Sequence, residues 1–262
     1  RKESQKMQTY KIMTFNMRTQ TTWDGDNQFL CRAPFIKERL DAIKPDVIGM
    51  QEVQPVMYER LISDLPDYYI VGGGRGKDRG DEAVCVAFLK DRFTLCDLET
   101  FWLSATPHTP GSRYTGDQSG CPRVCTALTL KPRDGEPFRV YNMHTDHIGK
   151  VARVLASNQM LQKLDENNLL SRMPAIVTGD FNAEPDDLCV TTVTNYKDGE
   201  LADLSASVGG TFHDYGRCEP MKIDYIFADR SVKCLSCEAI HDRREDGLWL
   251  SDHYPVMATV EF

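Results

Sequence analysis

Six short apolar runs between Ile12 and Met257 each end, or begin, at a polar group able to do chemistry, and no other feature restricts the topology as much. Ile12–Phe15 runs into Asn16, and Val47–Met50 into Gln51-Glu52. Val140–Met143, with Asn142 inside it, runs into His144, and Ile176–Val177 into Gly179-Asp180-Phe181-Asn182. The last two runs reverse the order: Asp224 precedes Tyr225-Ile226-Phe227, and Ser251-Asp252-His253 precedes Tyr254–Met257. Carboxylates buried singly in a core are strongly destabilising. Gathered around a cation they are satisfied. If the first four runs are strands in one direction and the last two run antiparallel to them, all six polar groups meet at one rim of the fold.

The remaining pattern supplies the frame. Strands are predicted over Tyr10–Met17, Asp46–Met50, Tyr68–Val71, Ala83–Lys90, Thr94–Trp102, Val124–Lys131, Phe138–Met143, Ala175–Thr178, Ile223–Ala228, Val232–His241 and Tyr254–Phe262. Helices are predicted over Ala33–Ile43, Pro55–Leu65 and Lys150–Leu170, where Val151, Val154, Leu155, Leu161 and Leu164 keep close to a helical period. Strands outnumber helices and often follow one another directly, which argues against a purely parallel doubly wound sheet. The expected class is α/β: two mainly antiparallel or mixed sheets packed face to face, with helices outside. Residues 1–8 read as a flexible lead-in and 9–262 as one domain. Turn-rich stretches at 72–81, 106–120 and 209–221 are the expected substrate-side loops.

Bulk properties narrow the partners. The chain has 31 Lys and Arg against 39 Asp and Glu, a net charge of −8, which favours a small phosphorylated substrate over a long polyanion. There is no apolar run long enough to span a membrane. The polar start, Arg1 to Lys6, lacks the apolar centre of a signal peptide. A cytoplasmic monomer is the expectation, and export after removal of a leader is the alternative. Nine cysteines, an odd number, are expected to be reduced thiols. Cys121/Cys125 with Cys234/Cys237 is a weaker reading as a zinc site, since the two spacings do not match.

Residue types then set the chemistry. Glu52 and Asp252 offer the oxygen ligands that a hard cation, Mg²⁺ or Mn²⁺, prefers. Asp180 suits a base that orients or deprotonates water, and Asn182 lies two residues along to point the same way. His253 beside Asp224 would be a charged donor to phosphate oxygens. Singly, each has a plain alternative: a strand end at Asn16, a helix cap at Glu52, a turn at Gly179-Asp180.

In this order, Phe15-Asn16, Gln51-Glu52, Asn142-x-His144, Gly179-Asp180-Phe181-Asn182, Ile223-Asp224-Tyr225-Ile226 and Ser251-Asp252-His253 resemble the endonuclease/exonuclease/phosphatase superfamily, the deoxyribonuclease I-like fold. The match covers nearly the whole chain. Phe101-Trp102-Leu103-Ser104-x-x-Pro107, Asn142-Met143-His144-Thr145-Asp146-His147 and Ala152-Arg153 are similar to bacterial members with deadenylase-like sequences, with Thr145 in place of the usual Leu. The resemblance implies a four-layered α/β sandwich and a divalent-metal-dependent hydrolase in which water attacks in line on a metal-bound phosphate. It implies metal ligation by Glu52 with Asn16 and Asp252, contact of His144 with the scissile phosphate, activation of water by Asp180, transition-state binding by Asn182, and pairing of Asp224 with His253. Arg153, Arg123 and Trp249 are the candidate substrate contacts. A nuclease, deadenylase-like or DNA-cleaving, is the alternative, and a binding module without catalysis the third reading.

Overall fold

A computed structural model describes residues 8–262, so most of the lead-in expected over 1–8 lies outside the described residues. The first half of the chain contains β1 (Thr9–Asn16), α1 (Phe29–Ile43), β2 (Val47–Val53), α2 (Pro55–Asp64), β3 (Tyr68–Gly74), β4 (Ala83–Leu89) and β5 (Phe93–Trp102). There follow β6 (Val124–Pro132), β7 (Phe138–His144), α3 (Lys150–Leu170), β8 (Ala175–Asp180), α4 (Leu188–Thr194), β9 (Leu201–Asp203), β10 (Asp224–Asp229), β11 (Lys233–Ala239) and β12 (Val256–Glu261). Among the described residues the strands form two six-stranded sheets, ordered β11-β12-β1-β2-β4-β3 and β5-β6-β7-β8-β10-β9.

Each sheet has one parallel pair, and in both a helix makes the crossover that parallel pairing requires. β1 lies beside β2 with α1 between them in sequence, and β7 beside β8 with α3 between them. β12 runs antiparallel to β1, and β10 antiparallel to β8 with Asp224 opposite Asp180. The reversed order of the last two sequence motifs is thereby accounted for, and all six polar clusters come to one rim.

The central strands read as continuous apolar runs because both faces are buried. In β10, Ile226 and Ala228 face the space between the sheets, whereas Tyr225 and Phe227 pack toward α3 and α4. Val140 and Ile176 point inward in the same way, and Tyr141 and Val177 outward. Helices α1 and α2 cover the outer face of the first sheet through Phe29, Ala33, Ile36, Leu40, Met57 and Leu61. Each buried apolar side chain contributes about 1.5–3 kcal/mol. This is the expected four-layered sandwich.

A polar seam crosses the inter-sheet core just beneath the rim. Asn142 donates to the carbonyls of Met50 (2.9 Å) and Cys85 (2.7 Å) and accepts from Gln51 Nε2 (2.7 Å). Asn142 is therefore a bridge between sheets. Gly49 permits this approach: a Cβ there would stand 2.2 Å from Thr178 Oγ1 and 2.8 Å from Asn142 Oδ1.

Several expectations need correction. Helix α1 begins at Phe29, a turn before Ala33: Gln28 precedes it without a side-chain cap, and Pro34 lies inside the helix. Neither α4 nor β9 was expected. The cysteine pairs form no zinc site: Cys125 is in β6 of one sheet and Cys234 and Cys237 in β11 of the other, and all nine thiols are free. No helix among the described residues is long and apolar enough to cross a membrane.

Candidate active site

The strand order dictates a sequence of side chains along the rim. On the first sheet it runs from Asp252 and His253, before β12, through Asn16 and Glu52 to Glu82 and Arg75. On the second it runs from Asp224 through Asp180 and His144 to Arg123. A cleft of about 620 Å³ lies between them and is lined by Glu52, His144, Asp180, Asn182, Asp252 and His253, with Arg18, Arg75, Arg123 and His147. Carboxylates separated by up to 200 residues of chain thus share one solvent-connected space.

Glu52 is aimed by its backbone. The register between β2 and β4 shifts between Met50 and Val53, and within this bulge Glu52 takes φ +61°. A left-handed non-glycine residue costs on the order of 1–3 kcal/mol and persists where surrounding contacts hold it. Asn16 Nδ2 donates to Glu52 Oε1 at 3.0 Å and the Thr19 N–H to Oε2 at 2.9 Å. Burial favours the neutral acid, but these donors, with His253 and Arg18, lower its pKa, so Glu52 is a carboxylate.

Asn16 Nδ2 also donates to Asp180 Oδ2 at 2.9 Å, so one amide spans both carboxylates, while its Oδ1 accepts from the Arg18 N–H. As oriented, Asn16 bridges two acids, and ligation through its oxygen would need the amide to turn. Asp180 ends β8 and accepts the Asn182 N–H at 2.8 Å across a tight turn in which Asn182 has φ +46°. Burial, then the charge of Asp224, raises the Asp180 pKa to about 7 against the pull of His253 and these donors.

Asn182 Nδ2 lies 3.0 Å from His144 Nε2 and donates to the Thr145 carbonyl. Burial, with Arg123 and Arg75 nearby, holds His144 well below the ordinary imidazole range. It is therefore neutral. His253 is the opposite case. Burial opposes its charge, yet Asp224, 2.8 Å from Nδ1, with Asp252 and Asp180 beyond, raises its pKa to about 10. Its Nε2–H faces Asp180 (3.9 Å) and Asp252 (4.0 Å). Burial and then Glu52 raise the pKa of Asp252 despite His253, and Arg18 Nε lies 3.6 Å from its carboxylate.

With this geometry in hand, the sequence matches the endonuclease/exonuclease/phosphatase family over residues 13–253. The chain belongs to that family. A family member from Bacteroides vulgatus shares 30% identity and superposes with a TM-score of 0.89, covering 97% of this chain and 99% of that one. A mannosyl-6-phosphatase from Bacteroides thetaiotaomicron shares 26% identity with a TM-score of 0.88, covering 97% and 100%. Nocturnin of Xenopus laevis is 26% identical over 209 residues, 70% of this chain and 50% of its own length, so this chain spans about half of that relative. Members of the family hydrolyse phosphate esters and generally depend on a divalent metal.

The family's metal fits the residues present. Ligand atoms of Glu52, His144 and Asp180 all lie within 4.8 Å of one another, as do those of Asp180, Asp224 and His253. Asp224 Oδ1 is buried without a hydrogen-bond partner. The cleft lining holds six carboxylates (Glu52, Glu82, Asp180, Glu184, Asp187, Asp252) against three guanidinium groups and the charged His253, a balance that added cations would turn in favour of a phosphate.

The other expected contacts divide. Arg123 lines the cleft, its Nη2 2.9 Å from His147 Nδ1. Arg153 is buried behind it and donates to the Asp146 carbonyl at 3.1 Å, propping the turn below His147 rather than reaching the cleft. Trp249 packs tilted against His213 (4.5 Å) and under Arg243 (4.4 Å), away from the lining. Trp102 is core, its Nε1 donating to the Arg75 carbonyl. The loop at 72–81 reaches the cleft through Arg75 and that at 209–221 through Phe212 and Met221, whereas no residue of 106–120 lines it.

Sequence reasoning missed Arg18, Glu82 and Arg32. Arg18, two residues past Asn16, was within reach of the motif. Arg32 is fully buried and donates to the carbonyls of Met17 (2.9 Å), Arg18 (3.0 Å), Asn27 and Leu250, tying together the segments that carry Arg18 and Asp252.

Proposed function

We propose that this chain is a Mg²⁺- or Mn²⁺-dependent hydrolase of a compact phosphate ester, cleaved by in-line attack of water. The observation that carries this reading is the convergence on one cleft of Asp180, Asn182 and His144 from the second sheet with Glu52 and His253 from the first, His253 being held by Asp224. A divalent cation held by Glu52 with neighbouring carboxylates would neutralise phosphate charge and steady the charge that builds in the transition state. Asp180, its pKa about 7, accepts the proton of the attacking water near neutral pH. The charged His253, held by Asp224, donates Nε2–H to a phosphoryl oxygen. Asn182 and His144 position the remaining oxygens. These residues sit at strand ends or on the turns that close them, a frame suited to fixed geometry.

Cleft size and the excess of carboxylates support a small ester over a polymer, and the likeness to a mannosyl-6-phosphatase supports sugar phosphates within that class. The test is a hydrolysis panel in Mg²⁺ and in Mn²⁺: sugar phosphates, phosphoinositides, sphingomyelin, oligo(A), plasmid DNA and abasic DNA. Turnover of the small esters is expected. Preferential cleavage of oligo(A) or DNA would replace this reading by the nuclease, and metal binding with no turnover of any ester by the binding module.

A further inference from the structure

One end of the cleft is not used by this mechanism, and its hydrogen bonding is incomplete. Arg123 stands just before β6, beside β7, with His147 and Asp146 against it and Arg75 and Glu82 across the cleft. Its Nη2 meets His147 Nδ1, yet its Nε and Nη1 have no hydrogen-bond partner although only 5% of the residue is exposed. An unsatisfied buried donor costs about 1–3 kcal/mol, more when charged.

The two carboxylates nearby do not fill the gap. Asp146 is taken up by the Ser119 hydroxyl and by the N–H groups of Ser119 (3.0 Å), Ile148 (3.1 Å) and Gly149 (2.8 Å), which leaves it 3.5 Å from Arg123 Nε. Glu82 is paired with Arg75 at 2.8 Å. Nη1 shares one edge of the guanidinium with Nη2 and Nε shares the other; both unmatched donors are enclosed, so an anion in the cleft that Arg123 lines would draw out the Nη1–Nη2 edge, which matches the oxygens of a phosphate or carboxylate.

We propose that Arg123, flanked by Arg75 and His147, forms a second anion subsite, and that the substrate carries a further phosphate or carboxylate besides the phosphoryl group that is hydrolysed. The proposal rests on the phosphate-ester reading above and names the substrate class within it. Neighbouring strands lie about 4.8 Å apart, so the backbone of Arg123 is roughly 5 Å along the rim from that of His144 and 10 Å from that of Asp180. The second anion therefore sits a few bonds from the scissile phosphorus, as in a small bisphosphate or a phosphorylated hydroxy acid.

The test compares straight-chain diol bisphosphates with the monophosphates of the same diols, over a series of chain lengths, in Mg²⁺. For the wild-type protein, one or two lengths are expected to show a KM at least about tenfold lower for the bisphosphate. Arg123→Gln should erase that preference and Arg123→Lys retain part of it. Equal KM values at every length in the wild type, or an undiminished preference in a folded Arg123→Gln, overturn the subsite. A parallel binding arm measures alkane bisphosphonates against monophosphonates by calorimetry and needs neither turnover nor a variant: tighter binding of the bisphosphonate supports the subsite, and equal affinity rejects it. Turnover of monophosphates without a bisphosphate gain would sink this inference alone, whereas tight bisphosphonate binding with no turnover of any ester would sink the hydrolase reading and leave the subsite standing.

Discussion

Asp180 is where the demands of stability and of catalysis collide most directly. Its folded pKa, about 7, lies above the roughly 3.9 of an unfolded aspartate, so the folded state binds the proton more tightly. The stability this confers is fully present below the unfolded value and is lost as pH rises through about 7. Asn at this position carries no charge to bury. In metal-free buffer at pH 8, Asp180→Asn is therefore expected to melt above the wild type, by about 2–4 °C for each kcal/mol relieved, with the gap closing toward pH 4. Turnover should fall by about 10²–10⁴, since the amide cannot accept water's proton. Thermal melts at both pH values and a rate assay check the two halves. A variant that keeps a tenth of the wild-type rate removes Asp180 from the reaction, and an unchanged melting temperature at pH 8 removes the ionisation strain. Asn16 and Asn182 restrain the same carboxylate, so a motif read as a linear run of residues is in three dimensions a set of donors arranged on one acid.

Among the secondary elements, α1 does more than cover a sheet. Arg32 passes from it beneath the rim to four backbone carbonyls, one of them 218 residues away. Arg32→Met leaves those acceptors buried and unmatched, and a loss of about 2–4 kcal/mol is expected in urea denaturation. Because Arg18 and Asp252 lie on the segments it ties, kcat should fall as well; full activity would show that the clamp serves folding alone. Gly49 is a comparable constraint where the sheets approach. Gly49→Ala drives a Cβ into Thr178 and Asn142 and should cost about 1–3 kcal/mol, read as a lower denaturation midpoint with unchanged slope. These positions mark the limit of what the sequence discloses. The ends of β1, β2, β7 and β8 were legible because each apolar run stops at a polar group with its own local motif. Arg32 was not, since an arginine in a helix reads as solvated until Leu250 is known to face it. Helix α4 was hidden for another reason: Val190, Thr191, Thr192, Val193 and Thr194 favour a strand, and the helix forms because Cys189, Val190 and Val193 bury against the second sheet. The bulge that turns Glu52 into the cleft depends on its mismatch with β4, a register that residue types alone do not encode.

At the scale of the whole molecule, the sandwich is built so that its core and its site are held by different forces. The two sheets and their helices enclose continuous apolar clusters that contain no carboxylate, whereas the rim gathers like charges on a chain whose net charge is already −8. Without a cation those carboxylates crowd one another across a few ångströms, with Arg18, Arg75, Arg123 and His253 to offset them in part. Removal of metal should therefore stop turnover without unfolding the protein, and restoring it should raise stability. A cation at about a hundred times its Kd adds about 2.7 kcal/mol, which for a domain of this size is a rise of several degrees in Tm. The experiment compares melts in chelator and in Mg²⁺ at matched ionic strength, since added salt alone also screens the repulsion. Glu52→Gln removes a carboxylate whose charge the fold favours, as its lowered pKa requires, so its chelated form should melt below the wild type at neutral pH, and it should gain little from Mg²⁺. A wild-type melt indifferent to Mg²⁺ and to Mn²⁺ would mean that the rim balances its charges without a cation, and activity that survives excess chelator would place the reaction outside metal-assisted hydrolysis.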